Sequence, residues 1–159
     1  MIKIRAATQD DHPLIFATWL RSYRHGAQFP RHIPERIFFA AHHNIIEALL
    51  ERSSVFVAHP VDDPQVILGW AVIEQLPSEG ATPSGLCVHY TYVKPAFRRS
   101  GIARQLLDHV AGWQADGHPV TYSHETFTLK LPQLSAVVAG WEFNPYAALQ
   151  HAAGQEATR

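Results

Sequence analysis

Cysteine is nearly missing from these 159 residues: Cys87 is the only one, so no intrachain disulfide is available and a reducing compartment is expected. No apolar run approaches the ~20 residues that a membrane-spanning helix needs. The opening Met1-Ile2-Lys3-Ile4-Arg5 holds no stretch suited to a signal peptide. Charge of one sign is also lacking. Thirteen Lys and Arg face 14 Asp and Glu for a formal net charge of -1, so no global field draws the chain toward nucleic acid or an anionic membrane. Internal repeats and low-complexity tracts are absent. Together these absences predict a soluble, cytoplasmic protein with neither nucleic acid nor membrane as partner.

What is present is an ordinary globular balance, 47% hydrophobic and 17% charged. The length suits one domain, expected over residues 1–151, with a small, polar, frayed tail at 152–159. Ile2 and Ile4 alternate with Lys3 and Arg5 as a short strand. Thr8, Asp10 and Asp11 supply helix-start chemistry, and the spacing predicts a helix over Asp11–Tyr23. A second runs from Pro34 to near Arg52 with an apolar stripe of Ile37, Phe38, Ala41, Ile45, Ala48 and Leu49. Val55–Ala58 and Val66–Glu74 read as a hairpin, 77–85 as a loop and Leu86–Val93 as a strand ended by Lys94-Pro95. A third helix is expected over Gly101–Ala115, then a strand at Val120–Ser123, a helix over Leu131–Val138 with Pro132 in its first turn, and a strand at Trp141–Asn144. Trp19 and Trp113 fit helix faces and are expected in the core. The order β-α-α-β-β-β-α-β-α-β defines an α/β (α+β) class with a mixed central sheet and helices on both faces.

The informative stretch is His89–Leu107, a strand running through a basic turn into an amphipathic helix. A helix start offers unpaired N–H groups and partial positive charge. Gly101 permits close backbone approach, Ser100 is small, and Arg98, Arg99 and Arg104 add cations, so the turn suits a phosphate or pyrophosphate.

These residues also carry a resemblance. Val93-Lys94-Pro95-Ala96-Phe97-Arg98 followed by Arg99-Ser100-Gly101-Ile102-Ala103 resembles the Arg/Gln-x-x-Gly-x-Gly/Ala motif of the GNAT N-acetyltransferases, between their fourth strand and third helix. The element order and the Ala139-Gly140-Trp141 ending of the last expected helix resemble that family as well. The resemblance implies an acetyl-coenzyme A-dependent transfer of acetyl to a primary amine on a small molecule or a protein, by direct attack in a ternary complex. It places Tyr92, Val93, Arg98, Arg99, Ser100, Gly101, Ile102, Ala103 and Arg104 at the coenzyme A site. Relatives often form homodimers, which this chain leaves open.

Amine acylation needs a neutral nucleophile, an oxyanion donor and a proton for the departing thiolate. His89 is the preferred base, placed by strand alternation on the face of Thr91 and Val93. Glu74 is the second candidate, set against the simpler reading of a solvated strand end. A backbone N–H of the Tyr92–Val93 region is the expected oxyanion donor, and Tyr92, Tyr122 or Tyr146 the acid. The family's usual tyrosine on its fourth helix is Ala136 here, and Thr128 or Leu129 stands at the family's asparagine. These departures keep a second reading open, a non-catalytic acyl-coenzyme A-binding or partner-binding module. Cys87 is expected to be packed rather than nucleophilic. His42, His43 and Glu47 are too few for a metal site, so none is expected. His124-Glu125 is read as loop, and Arg21, Arg24, His25, Arg31 and His32, with Tyr23 and Phe29, as a solvated surface loop, although the resemblance implies that this region shapes the acceptor pocket.

Overall fold

Alternating side chains build the sheet, and 3.6-residue stripes cover its two faces. A computed structural model describes residues 1–76, 85–114 and 117–149. Most of the expected loop at 77–85, the last residue of the expected third helix (115) and the tail at 152–159 lie outside these.

The six strands are β1 (Ile2–Ala6), β2 (Ser54–Pro60), β3 (Gly69–Leu76), β4 (Gly85–Val93), β5 (Val120–Tyr122) and β6 (Glu142–Phe143), in that spatial order among the described residues. β1 to β4 are antiparallel neighbours; β5 lies parallel to β4 and β6 parallel to β5. Helices α1 (His12–Gly26) and α2 (Glu35–Arg52) give Ile15, Trp19, Phe38, Ile46 and Leu49 to one face, against Val55, Val57, Trp70, Val72 and Tyr90. Helix α3 (Ile102–Ala111) gives Ile102, Leu106, Leu107 and Val110 to the other, against Phe56, Ala58, Ala71, Ile73 and Val88. Trp19 and Trp70 have no exposed surface; each buries on the order of 200 Å², several kcal/mol of hydrophobic stabilisation. Among the described residues no helix is long and apolar enough to cross a membrane.

Four expectations are corrected. The buried face of α2 is Phe38, Ile46, Leu49 and Leu50, whereas Ile37 is 48% exposed and Ala41 is exposed. Of the expected helix Leu131–Val138 only the 3-10 turn Pro132–Leu134 forms, and the chain beyond it closes tight turns, Ser135 N–H on Pro132 O and Val137 N–H on Leu134 O. Leu131, extended at φ -70 and ψ 134 before the proline, separates this turn from an earlier one at Phe127–Lys130. Helix α3 ends at Ala111 rather than 115, because Gly112 begins two tight i→i-3 turns, Trp113 N–H to Val110 O and Gln114 N–H to Ala111 O. Trp113 therefore leaves the buried stripe and is 43% exposed, leaning on the edge of Phe56. β3 starts at Gly69, not Val66, because Val66 N–H still closes a turn on Asp63 O and the ladder with β4 begins at the Gly69–Val93 pair, where a Cβ on Gly69 would lie 2.6 Å from the Tyr92 carbonyl oxygen.

The start of α1 is fixed by charge. The Asp11 carboxylate accepts from Thr8 N–H at 2.7 Å and from Arg5 Nη1 at 2.7 Å, closing a capping box at the sheet edge. The hydrogen bond from Arg5 pulls the Asp11 pKa from 3.8 to about 2 against the opposing effect of burial. A depressed carboxyl pKa stabilises the fold above the unfolded value and loses that contribution as pH falls through the folded one. Unfolding free energy should drop by about 1–2 kcal/mol between roughly pH 4 and pH 2 on this account, and Asp11→Asn should flatten that limb in urea titrations.

Candidate active site

At the end of β4, Lys94 N–H donates to Leu68 O, and one 3-10 turn (Pro95–Phe97) turns the chain toward α3. Arg99 at φ 67 and Gly101 at φ 80 are both left-handed, which reverses the backbone sharply enough to aim the α3 start outward. Gly101 is the N-cap of α3 and no side chain caps it, so the first-turn N–H groups keep their donor capacity. A Cβ built at Gly101 would meet nothing nearer than Gln105 Nε2 at 4.0 Å, so the surface above this turn is open. Arg98, Arg99 and Ser100 are exposed. Arg98 Nε donates to Val93 O at 3.3 Å, Ser100 Oγ donates to Phe97 O, and Arg104 lies 3.6 Å from Asp108. Ile102 sends its side chain into the core, leaving only its backbone to the turn. Ala103 is half-buried and Val93 is buried beside it.

Pairing between β4 and β5 stops at Val88 and Tyr122, with Ser123 N–H donating to Val88 O at 3.3 Å. Beyond that fork β4 continues to Val93 with only β3 beside it among the described residues. The fork coincides with a break in the ladder. Tyr90 opposes Val72 and Val88 opposes Ile73, so His89 is an extra, unpaired residue. This bulge corrects the expected placement of His89. Thr91 opposes Ala71 on the α3 face, whereas His89 reaches Glu74, whose strand neighbour Val72 packs under α1 and α2.

Glu74 is not a solvated strand end. It is 6% exposed and carries a buried ion pair. His89 Nε2–H donates to its Oε2 at 2.8 Å, and Arg52 Nε from the last turn of α2 donates to Oε1 at 3.1 Å. Arg52 also donates to Ala148 O at 3.0 Å, tying down the C-terminal 3-10 turn Pro145–Ala148. Burial opposes ionisation of Glu74, but the hydrogen bond from His89 and the charge of Arg52 outweigh it and hold its pKa below 4.5.

The network runs on. Ser123 Oγ is 2.7 Å from His89 Nδ1 and 2.8 Å from His124 Nδ1, and His124 Nε2 is 2.9 Å from His42 Nε2 on α2. His124 is buried against the edges of Trp19, Tyr23 and Tyr90. Burial lowers all three imidazoles below 6.5, His42 to about 4. A folded state that keeps these rings neutral binds fewer protons than the unfolded chain below pH 6.5. Unfolding free energy should therefore fall as pH drops from about 7 toward 5, well above the Asp11 window. Denaturant titrations at pH 7.5 and 5 check this, and His42→Gln should shrink the difference.

The remaining candidates sort clearly. Tyr92 is half-buried against Trp70, with ring centroids 5.6 Å apart, and Tyr122 lies beside Phe143. Tyr146 is 69% exposed. Cys87 is fully buried, and burial pushes its thiol up to about 11, which leaves it protonated and inert. His43 pairs with Glu47 on the exposed side of α2, and among the described residues no group of three His, Cys, Asp or Glu is arranged to hold a metal. In the basic rim, Arg24 is turned inward, donating to Pro30 O with its guanidinium over Phe38, while Arg31 donates to His25 O and lies over Phe127. Sequence reasoning missed Arg52, Ser123 and Tyr90, whose hydroxyl lies 2.9 Å from Ser22 Oγ. Each becomes visible only once α1, α2 and the end of β5 meet over the bulge.

The family model of the GNAT acetyltransferase domain matches residues 51–137. That span holds β2 to β5, the bulge and the α3 turn, and the chain belongs to this family of acetyltransferases. Solved structures share the fold. An acetyl transferase structure from Pyrococcus furiosus is 18% identical with a TM-score of 0.63, over 86% of this chain and 89% of that one. An acetyltransferase structure from Clostridium difficile 630 is 15% identical with a TM-score of 0.54, over 98% of this chain and 90% of that one. A histone acetyltransferase-related structure from Corynebacterium glutamicum is 19% identical with a TM-score of 0.53, over 70% of each chain. At such identities the likeness speaks for the fold alone. No curated protein sequence matches the chain.

Proposed function

We propose that the chain transfers an acetyl group from acetyl-coenzyme A to a primary amine, on a small molecule or a protein, by direct attack within a ternary complex. The observation that carries this reading is the open left-handed turn at Arg99–Gly101 with the uncapped start of α3 behind it. The donor set fits a diphosphate: first-turn amides, the small Ser100 and the guanidinium groups of Arg98 and Arg99. Val93 and Tyr92 lie on the stretch of β4 that β5 does not cover, where backbone groups would hold an extended pantetheine arm and donate to an oxyanion. When bound, the coenzyme supplies an acyl group activated as a thioester.

The residues around the fork handle the proton. His89 and Glu74 are the basic pair, with Glu74 fixing the imidazole so that Nε2 carries the hydrogen and Nδ1 is the basic nitrogen. Direct contact between an amine and His89 is obstructed, since its side chain has no exposed surface and Ser123 occupies Nδ1. The exposed Ala136 offers no hydroxyl at the family's usual acid position, which favours a second reading of binding without turnover.

Calorimetry with acetyl-coenzyme A and thiol release with a panel of primary amines test both. Heat on binding with amine-dependent thiol release is the expected result. Heat without thiol release selects the binding module, and no heat removes both readings.

A further inference from the structure

We infer that His42, His124 and Ser123 extend the His89–Glu74 pair into a one-way proton relay whose entrance is the half-buried His42. The inference rests on the amine-acetylation reading and assigns it residues from three elements that no sequence motif joins. The direction follows from hydrogen-bond capacity. Ionised Glu74 only accepts, so His89 Nε2 carries a hydrogen and His89 Nδ1 is an acceptor. Ser123 must then donate to His89 Nδ1, and with its one hydrogen spent it accepts from His124 Nδ1–H. His124 Nε2 is left as an acceptor and takes its hydrogen from His42 Nε2–H. Every donor points toward Glu74, and within the relay the basic nitrogen left over is His42 Nδ1.

The proton path balances. An ammonium N–H bond breaks as a bond to His42 Nδ1 forms; His42 Nε2–H passes to His124 Nε2, His124 Nδ1–H to Ser123 Oγ, and the Ser123 hydroxyl hydrogen to His89 Nδ1. The amine becomes a neutral nucleophile and His89 becomes an imidazolium against the Glu74 carboxylate, which Arg52 keeps ionised. Among the three rings only His89 has a carboxylate beside it, and the hydrogen bond and charge of Glu74 work there against burial and the charge of Arg52. The groups facing the relay are few. Tyr23 of α1 lies against His42 and His124, Tyr90 of β4 against His124, and the Cys87 thiol sits 3.7 Å from His89 Nδ1. Glu125 acts on Tyr23, and both tyrosines are held protonated by burial. The neutral resting state of the three rings leaves the path empty for an incoming proton.

Nitrogen-15 imidazole spectra of the full chain test the polarity without any cofactor. Hydrogens on Nε2 of His42, Nδ1 of His124 and Nε2 of His89 are expected; a hydrogen on Nε2 of His124 overturns the relay. Kinetics test its use. Ser123→Ala should cut thiol release with an alkyl primary amine by about 100-fold, the scale of one positioned proton transfer. It should spare hydrazine, which is already neutral at mildly alkaline pH, and Ser123→Thr should restore the alkylamine rate. His42→Gln should behave like Ser123→Ala. Equal losses with both nucleophiles, or no loss with either, overturn the proposal. A wild type that releases no thiol with either nucleophile counts against the acetylation reading instead, and the imidazole hydrogens then decide the relay alone.

Discussion

Gly101→Val should abolish measurable acetyl-coenzyme A binding while the chain stays folded. Gly101 sits at φ 80, a conformation that a β-branched residue resists by roughly 1–2 kcal/mol or more. Arg99 two residues earlier is already left-handed, so the turn has little slack to relax into. The strain is relieved by rotating the backbone back toward φ below zero, and that rotation swings the first-turn N–H groups of α3 away from one another. Space is not the difficulty, because a Cβ there would lie 4.0 Å from Gln105 Nε2 and otherwise meet nothing. The variant thus separates conformation from clash. Gly101→Ala, with less resistance to positive φ, should lose about 30-fold in affinity, roughly 2 kcal/mol. Calorimetry reads the affinity and circular dichroism the fold; a Gly101→Val chain that binds acetyl-coenzyme A normally would remove this turn from the site.

Glu74→Gln should lower stability by about 3 kcal/mol and thiol release by about 100-fold. The two losses have different origins. Stability falls because the Arg52 guanidinium, with 19% side-chain exposure, keeps its charge without a counter-charge, and the cost of an uncompensated buried ion exceeds what the pair itself contributed. Turnover falls because His89 loses the carboxylate that fixes its hydrogen on Nε2 and stabilises its protonated form. Adding Arg52→Met to Glu74→Gln removes the stranded charge. The double variant should recover part of the stability and none of the turnover. Urea unfolding and thiol release on the single and double variants check this, and recovery of both together would mean that Glu74 is purely structural. The native pair also has a pH signature. Because the Glu74 pKa is depressed, its contribution is present above pH 4.5 and fades as pH falls below that.

Much of this fold is legible in residue order. The strands at Ile2–Ala6 and Leu86–Val93 and the strand-to-helix turn at Gly101 are written in local periodicity and turn chemistry and appear where the pattern puts them, whereas α2 forms as expected but buries Phe38, Ile46, Leu49 and Leu50 and leaves Ile37 48% exposed. The misreadings have local causes of their own. Pro132 does stand in a first turn, but the chain after it closes i→i-3 turns rather than a helix. Trp113 looked like a continuation of the α3 stripe until Gly112 tightened the helix end. The hydrogen-bonded network at the fork was less visible for a different reason. Arg52, Glu74, His89, Ser123 and His124 come from α2, β3, β4 and the end of β5, and only their convergence gives them meaning. Period-2 alternation assigned His89 to the wrong face because alternation has no way to register one additional residue in a strand.

That additional residue has a consequence for how the enzyme could diversify. Val88 and Tyr90 each answer to a cross-strand neighbour and to a packed helix, so neither tolerates much exchange. His89 has no register partner across the ladder; hydrogen bonds to Glu74 and Ser123 hold its side chain instead. It is a tenant of the fork rather than a beam of the sheet, and an amide of similar size that keeps a donor toward Glu74 could take its place without recutting either half of the core. Chemistry and architecture are thereby uncoupled at a single position, where new reactivity could be tried on an unchanged frame.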